Sequence, residues 1–148
     1  MVDIITITKL DSGHIYVDNY KHILHLEILN DRYNKEEFTK LCYAFKAFLE
    51  ECLVNKKKYY LIFHTQKIGV YPLSCYGIIK DVLEEIKPIL KKVLHCTCVI
   101  VEPNLTAHIL KFFFSIYTPA RPAFVVTDIK DTDFYFALPT SQNNEVIE

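Results

Sequence analysis

Residues 34–64 read NKEEFTKLCYAFKAFLEECLVNKKKYYLIFH, and this stretch predicts a helix followed by a buried strand. Asn34 with Glu37 three positions later is close to a capping box, which predicts a helix start at about Lys35. Apolar residues then recur every three or four positions and give one broad stripe for packing. Tyr59–His64 follows without polar alternation, which is typical of a central strand that is covered on both faces.

The residues before this stretch predict three strands. Asp3–Thr8 alternates and is rich in β-branched residues, and a turn at Asp11–Gly13 separates it from His14–Val17, so the two segments predict a hairpin. His22–Leu29 is a third strand with one fully apolar face. Ile23, His25, Glu27 and Leu29 lie on one face of this strand, and Leu24, Leu26 and Ile28 lie on the other.

Strands and helices alternate through the rest of the chain. A second helix is predicted to start near Ser74, and Pro88 is expected to kink it or to divide it in two. Because strands that alternate with helices require parallel pairings, the sequence predicts a single α/β domain over residues 1–138 with a mixed sheet and a parallel β-α crossover core. The remaining predictions are strands at Cys96–Val101 and Ala123–Thr127, a helix at Leu105–Tyr117, an edge segment or cap at Asp133–Phe136, and a flexible tail over residues 139–148.

Composition limits the classes of function. The 148 residues are 51 % hydrophobic and 24 % charged, which predicts one globular domain and opposes disorder. Lys plus Arg (17) and Asp plus Glu (18) nearly cancel, so the basic surface of a nucleic-acid-binding protein is not expected. An odd number of cysteines (5) and an opening without an apolar signal core favour the cytoplasm. No apolar run is long enough for membrane insertion.

The element order resembles that of the STAS domain of the anti-sigma-factor-antagonist type. It resembles more distantly the CRAL-TRIO lipid-binding domains, which share the β-α superhelical core. The resemblance covers roughly Asp3 to Asp128 in element order. It implies a non-enzymatic regulatory or protein-interaction module with a protein partner. The alternative it implies is a carrier or sensor of a lipid or another apolar small molecule.

The resemblance also points to the segment after the Tyr59–His64 strand. In the antagonist proteins this place holds an Asp-Ser-Ser-Gly-like turn whose serine is phosphorylated by a partner kinase. Here Ser74, Cys75, Tyr76 and Gly77 occupy it, with no acidic residue before the serine and with the glycine three places after it. The resemblance implies that these four residues regulate or contact the partner. From the residues alone, Ser74 is also explained as the N-cap of its helix.

Other residues suggest chemistry less directly. Cys75 at a helix start with His64 as a base would make a cysteine hydrolase, although nothing in the sequence orients His64. Cys96 and Cys98 lie on one face of a strand and are interpreted as core residues, because no second ligand pair completes a metal site. Glycine is too scarce for a phosphate-binding loop, so neither a cofactor nor a metal is predicted. Arg121 is a candidate anion contact.

The predicted helix Leu105–Tyr117 has an apolar surface that is wider than packing against one core requires. Phe112, Phe113 and Phe114 spread over about 200° of helix, so one sheet cannot cover all three. A mean hydropathy of +0.12 adds to the apolar surplus. These three residues and Tyr117 therefore predict a homodimer interface.

Overall fold

Six strands form one mixed sheet in the computed structural model, which describes residues 3–67, 73–103 and 122–137. The helix predicted at Leu105–Tyr117 and the predicted tail lie outside these residues. The strands are Ile4–Lys9 (β1), Gly13–Asp18 (β2), Ile23–Ile28 (β3), Tyr59–His64 (β4), Leu94–Ile100 (β5) and Ala123–Val126 (β6). The helices are Lys35–Val54 (α1), Leu73–Val93 (α2) and Thr132–Phe136 (α3), with a 3-10 turn at Ile129–Asp131.

The strands lie side by side in the order in which they follow along the chain. β1 pairs with β2 and β2 pairs with β3 in antiparallel fashion, whereas the pairs β3–β4, β4–β5 and β5–β6 are parallel. An antiparallel N-terminal half is thus joined to a parallel half through the pairing of β3 with β4. This arrangement confirms the predicted α/β class, the mixed sheet and the hairpin at the start of the chain.

α1 begins where its sequence predicts. The Glu37 backbone N–H donates to the Asn34 side chain at 3.0 Å, and this satisfies one of the free amides at the helix start. The predicted apolar stripe is the buried side of the helix. Its buried residues are Phe38, Leu41, Phe45, Leu49 and Cys52.

α2 starts within one residue of its predicted start near Ser74 but differs from its prediction in the middle. It is one helix that includes Pro88, so the expected division in two is wrong. Ile86 (0 % exposed) and Leu90 (6 % exposed) pack into the core on both sides of the proline, and this packing holds the helix together despite the missing amide. β5 follows α2 directly at Leu94, two residues before the predicted strand start at Cys96.

Different helices pack on the two faces of the sheet. α1 and α2 contact each other and bury residues of the same face, which we call the helix face. The Lys46 ammonium also pairs with the Glu85 carboxylate between the two helices. On the opposite face, called the second face, Tyr135 and Phe136 of α3 pack on the sheet, so the predicted edge segment is a short helical cap. Buried on the helix face are Ile15, Val17, Leu24, Leu61 and Val99; on the second face, Ile23, Ile62, Ile100 and Val126.

Gly13 lets α1 approach β2 closely. A Cβ atom at this position would stand 2.3 Å from Cδ2 of Leu41 and 3.0 Å from the carbonyl oxygen of Glu27. Leu41 is only 2 % exposed, so its side chain has little room to move aside. The absence of a side chain at Gly13 therefore fixes the distance between the helix and the sheet.

We predict that Gly13→Ala lowers the free energy of unfolding by about 1–3 kcal/mol, because the added methyl group overpacks the core. The measurement is urea unfolding. Gly77→Ala is the matched control, since a Cβ there would meet nothing within 4 Å. That control should raise the free energy of unfolding by about 0.5–1 kcal/mol through helix propensity. Equal effects of the two substitutions would contradict the close approach at Gly13.

Candidate functional site

The second face carries a row of polar rings near the carboxyl ends of the parallel strands. Register places Tyr16 of β2 opposite His25 of β3, and His25 opposite Ile62 of β4. One step nearer the carboxyl edge, Glu27 lies between His14 and His64. We call His14, Tyr16, His25 and His64 the histidine row.

The members of the histidine row are in direct contact. Nδ1 of His25 and Nε2 of His64 share a hydrogen bond at 2.9 Å, and both side chains are 8 % exposed. Tyr16 stacks on His25 with 4.4 Å between ring centroids and 5° between ring planes. The ring centroids of His14 and Tyr16 lie 4.5 Å apart. Nε2 of His14 is also hydrogen-bonded to the Thr6 hydroxyl at 3.0 Å. The row therefore runs without interruption from β2 to β4, and the Thr6 hydroxyl connects it to β1.

Burial controls the charge of these rings. Burial, together with the neighbouring His64, lowers the pKa of His25 to about 4, whereas Asp18 opposes the change. Burial also lowers the pKa of His64, against the attraction of Glu27. The pKa of Tyr16 rises to about 12 because of burial and of Glu27. At neutral pH the central pair is uncharged and can accept protons from solvent.

The histidine row brings several titratable rings together. Within residues 3–67, 73–103 and 122–137, no group of three or more His, Cys, Asp or Glu side chains is arranged to hold a metal ion. The two central rings use one nitrogen each to bind one another. What this arrangement can do is hold and exchange protons.

Cys75 and His64 do not form the hydrolase pair considered above. Cys75 is fully buried on the helix face, close to Cys42 and Tyr33, whereas His64 faces the other side of the sheet with His25. Burial raises the pKa of the Cys75 thiol to about 12, the direction opposite to that expected for a nucleophile at a helix start. The strand β4 separates the two side chains.

The other cysteines are core residues. Cys96 and Cys98 are both fully buried and free, which agrees with the interpretation from sequence. Burial and the neighbouring Cys96 raise the pKa of Cys98 to about 12. Their place is in the packing of β5.

Ser74 and Gly77 lie on the exposed side of the first turns of α2. The helix begins at Leu73, so Ser74 is its second residue and not the residue before it. Burial raises the pKa of Tyr33, and the nearby Ser74 side chain opposes this rise. The side chain of Tyr76 lies outside the described part of the chain.

Several predicted residues cannot be placed. Arg121 lies outside the described residues, as do Phe112, Phe113, Phe114 and Tyr117. The anion contact and the homodimer interface that rest on them stay predictions.

Comparisons with known proteins add no relative. No family model matches the chain, and neither a curated protein nor a solved structure gives a match. Among the described residues, no helix is both long enough and apolar enough to cross a membrane.

Sequence reasoning missed the contact between His25 and His64. The alternation of β3 places His25 away from the apolar face, and the sequence suggests His64 only as the end of β4 and as a base for Cys75. The sequence does show one histidine in each of two buried strands, His25 in β3 and His64 in β4. This pattern was the only indication that the two side chains could meet. The rings meet because of the register between β3 and β4. That register cannot be predicted from the sequence of either strand alone.

We predict that Cys75 is alkylated by iodoacetamide in the native protein no faster than a cysteine in a short peptide at the same pH. Burial and a raised pKa both keep the thiolate scarce. Mass spectrometry of peptides after timed labelling measures the rate, and labelling in urea supplies the control. Rapid native labelling that is lost in Cys75→Ser would restore the hydrolase hypothesis.

Proposed function

We propose that the chain is a non-enzymatic, STAS-like regulatory module that binds a protein partner through the first turns of α2. The contact region in this proposal is the α2 surface, defined as Ser74, Gly77, Lys80 and Asp81. All four residues are exposed. The observation that carries the proposal is the glycine at position 77.

Gly77 has no structural requirement within the described chain. It lies inside a helix, where glycine is less favourable than alanine by roughly 0.5–1 kcal/mol. Its backbone is not in the left-handed region, and a Cβ atom there would meet nothing within 4 Å. A missing side chain is useful at such a place when another molecule approaches the helix backbone closely.

Ser74 gives the α2 surface a means of regulation. Its exposed hydroxyl lies in the first turn of α2, where free backbone amides and the helix dipole favour negative charge. Phosphorylation would add about −1.5 to −2 charges next to Gly77. A charge of this size at the edge of a docking surface changes the affinity for a partner.

The sheet topology supports the same class. Parallel strands in sequential order, with α1 and α2 packed on one face, agree with the β-α superhelical core implied by the resemblance. The burial of Cys75 opposes the hydrolase alternative.

The second candidate function is the binding of a small apolar molecule. A cleft of about 300 Å³ lies beside β6, with Phe134 and Tyr135 of α3 and Asp131 in its wall. This volume is at the lower end of the roughly 300–1,000 Å³ found for small-molecule sites. A whole lipid would not fit in this cleft, so the carrier function ranks second. Stoichiometric lipid in native mass spectra of protein purified from its own cells would reverse the ranking.

We predict that Gly77→Arg abolishes partner binding while the chain stays folded, because the arginine side chain projects into open space and occupies the docking surface. Gly77→Ala should bind as the wild type does, or no more than a few-fold more weakly. Site-specific photo-crosslinking from Lys80 in the original cells identifies the partner, with Glu50 of α1 as the control position. Titration of the purified partner then measures the affinity of each variant. Unchanged affinity of Gly77→Arg would contradict the proposal.

We predict that Ser74→Asp changes the affinity for this partner without loss of stability, since a carboxylate in the first turn of a helix is favourable by about 0.3–1 kcal/mol. Ser74→Asn is the uncharged control of the same shape and should bind as the wild type does. Equal affinities of the aspartate and asparagine variants would limit Ser74 to a structural role.

A further inference from the structure

The hydrogen-bonded His25–His64 pair is a second feature that calls for a function, and the α2 surface does not use it. The two rings come from strands that are 39 positions apart in sequence at this contact. They meet where the antiparallel half of the sheet joins the parallel half. Protonation of His25 or His64 can therefore affect the pairing of β3 with β4.

The distance between the rings admits only one hydrogen atom. In the neutral pair, one facing nitrogen donates to the other across 2.9 Å. A first added proton is taken up by an outer nitrogen, and it leaves the bond in place with a charged donor. A second added proton puts hydrogen atoms on both facing nitrogens and gives both buried rings a positive charge. The bond cannot survive that state.

Burial disfavours positive charge on either ring, and the charged groups around the pair act in both directions. Asp18 and Glu27 attract positive charge on the pair, whereas Lys21 and His14 repel it. Next to Ile62 and His64 on β5 lie Cys98 and Ile100, and a thiol with a pKa near 12 supplies no charge at neutral pH. Further titratable neighbours on this face are Tyr16 and Lys9 on the antiparallel strands, Tyr60 of β4 with His95 of β5 against it, and Tyr135 of α3.

We propose that the His25–His64 pair is a proton-dependent switch, closed while the two rings share at most one added proton and open when both rings are protonated. The open state loses the contact between β3 and β4 on the second face. It also frees Tyr16, which stacks on His25, so the change reaches β2. This proposal does not depend on the α2 surface.

The sign of the pH dependence follows from the protons that each state binds. The closed pair holds at most one added proton, whereas separated and hydrated rings both bind one below the ordinary histidine pKa of about 6.5. The open state therefore binds more protons, and acidification favours opening. Because burial lowers the pKa of His25 to about 4, opening is expected at acidic and not at neutral pH.

The test is nuclear magnetic resonance of the full labelled chain between pH 8 and pH 4. Imidazole nitrogen shifts should show the pair titrating in two coupled steps. Between the two steps, protection of β3 and β4 amides, corrected for intrinsic exchange, should fall by up to about tenfold per pH unit, since there the open state holds one proton more. Protection of the β5 amides should fall less.

The decisive variant is His64→Gln, which keeps a polar side chain next to His25 but removes the second titrating ring. It should show one histidine step for His25 and a smaller acid-induced loss of protection in β3 than the wild type shows. His22→Asn is the matched control, because His22 is exposed with φ 59° and asparagine tolerates this backbone conformation. The control should behave as the wild type does.

Two results would overturn the switch. One is independent titration of His25 and His64 with ordinary pKa values in the wild type. The other is an acid-induced loss of protection that is the same in His64→Gln as in the wild type. If His64→Gln does not fold, the titration and exchange of the wild type decide the question alone.

Discussion

The parallel pairing of β3 with β4 is the constraint on which the described structure depends. β1 and β2 are attached to the sheet only through β3, and β5 and β6 are attached only through β4. One side of this seam is apolar, since Leu24 and Leu61 are register partners within the core under α1 and α2. The other side carries His25 and His64. Hydrophobic burial supplies the stability of the seam, and the histidine contact makes that stability depend on protons.

The helix face sets where the proposed docking surface lies. Ile79, Val82, Ile86 and Leu90 turn one side of α2 towards the sheet and α1, so the opposite side must face outwards. Since α2 follows β4, its first turn lies at the carboxyl edge of the parallel strands, the edge at which the histidine row ends. The seam, the histidine row and the α2 surface are thus connected through β4.

Regular patterns of sequence account for most of what could be predicted. The capping pair at Asn34 and Glu37 gave the start of α1 correctly, and the alternation of β3 gave its two faces. The wrong division at Pro88 has a tertiary cause, because local rules do not include the burial of Ile86 and Leu90 around the proline. The close approach at Gly13 and the His25–His64 bond depend on the distance between elements and on strand register. Neither quantity is encoded in a single segment.

The predicted partner-contact residues at the start of α2 differ in their exposure. The exposed positions Ser74 and Gly77 follow from helical periodicity, because they lie opposite the apolar stripe of α2. Cys75, one position from Ser74, lies four positions before Ile79 on the apolar stripe of α2 and is buried with it. Cys75 is therefore a core residue although Ser74 beside it is exposed. Its position at a helix start alone does not predict its reactivity.

Native-state hydrogen exchange at neutral pH tests the seam most directly. If the pairing of β3 with β4 unites the sheet, the slowest amides of β2, β3, β4 and β5 should exchange with one common free energy, equal to that of global unfolding. Exchange of β2 and β3 through a lower-energy opening that leaves β4 and β5 protected would contradict this account, since the antiparallel half would then be an independent unit.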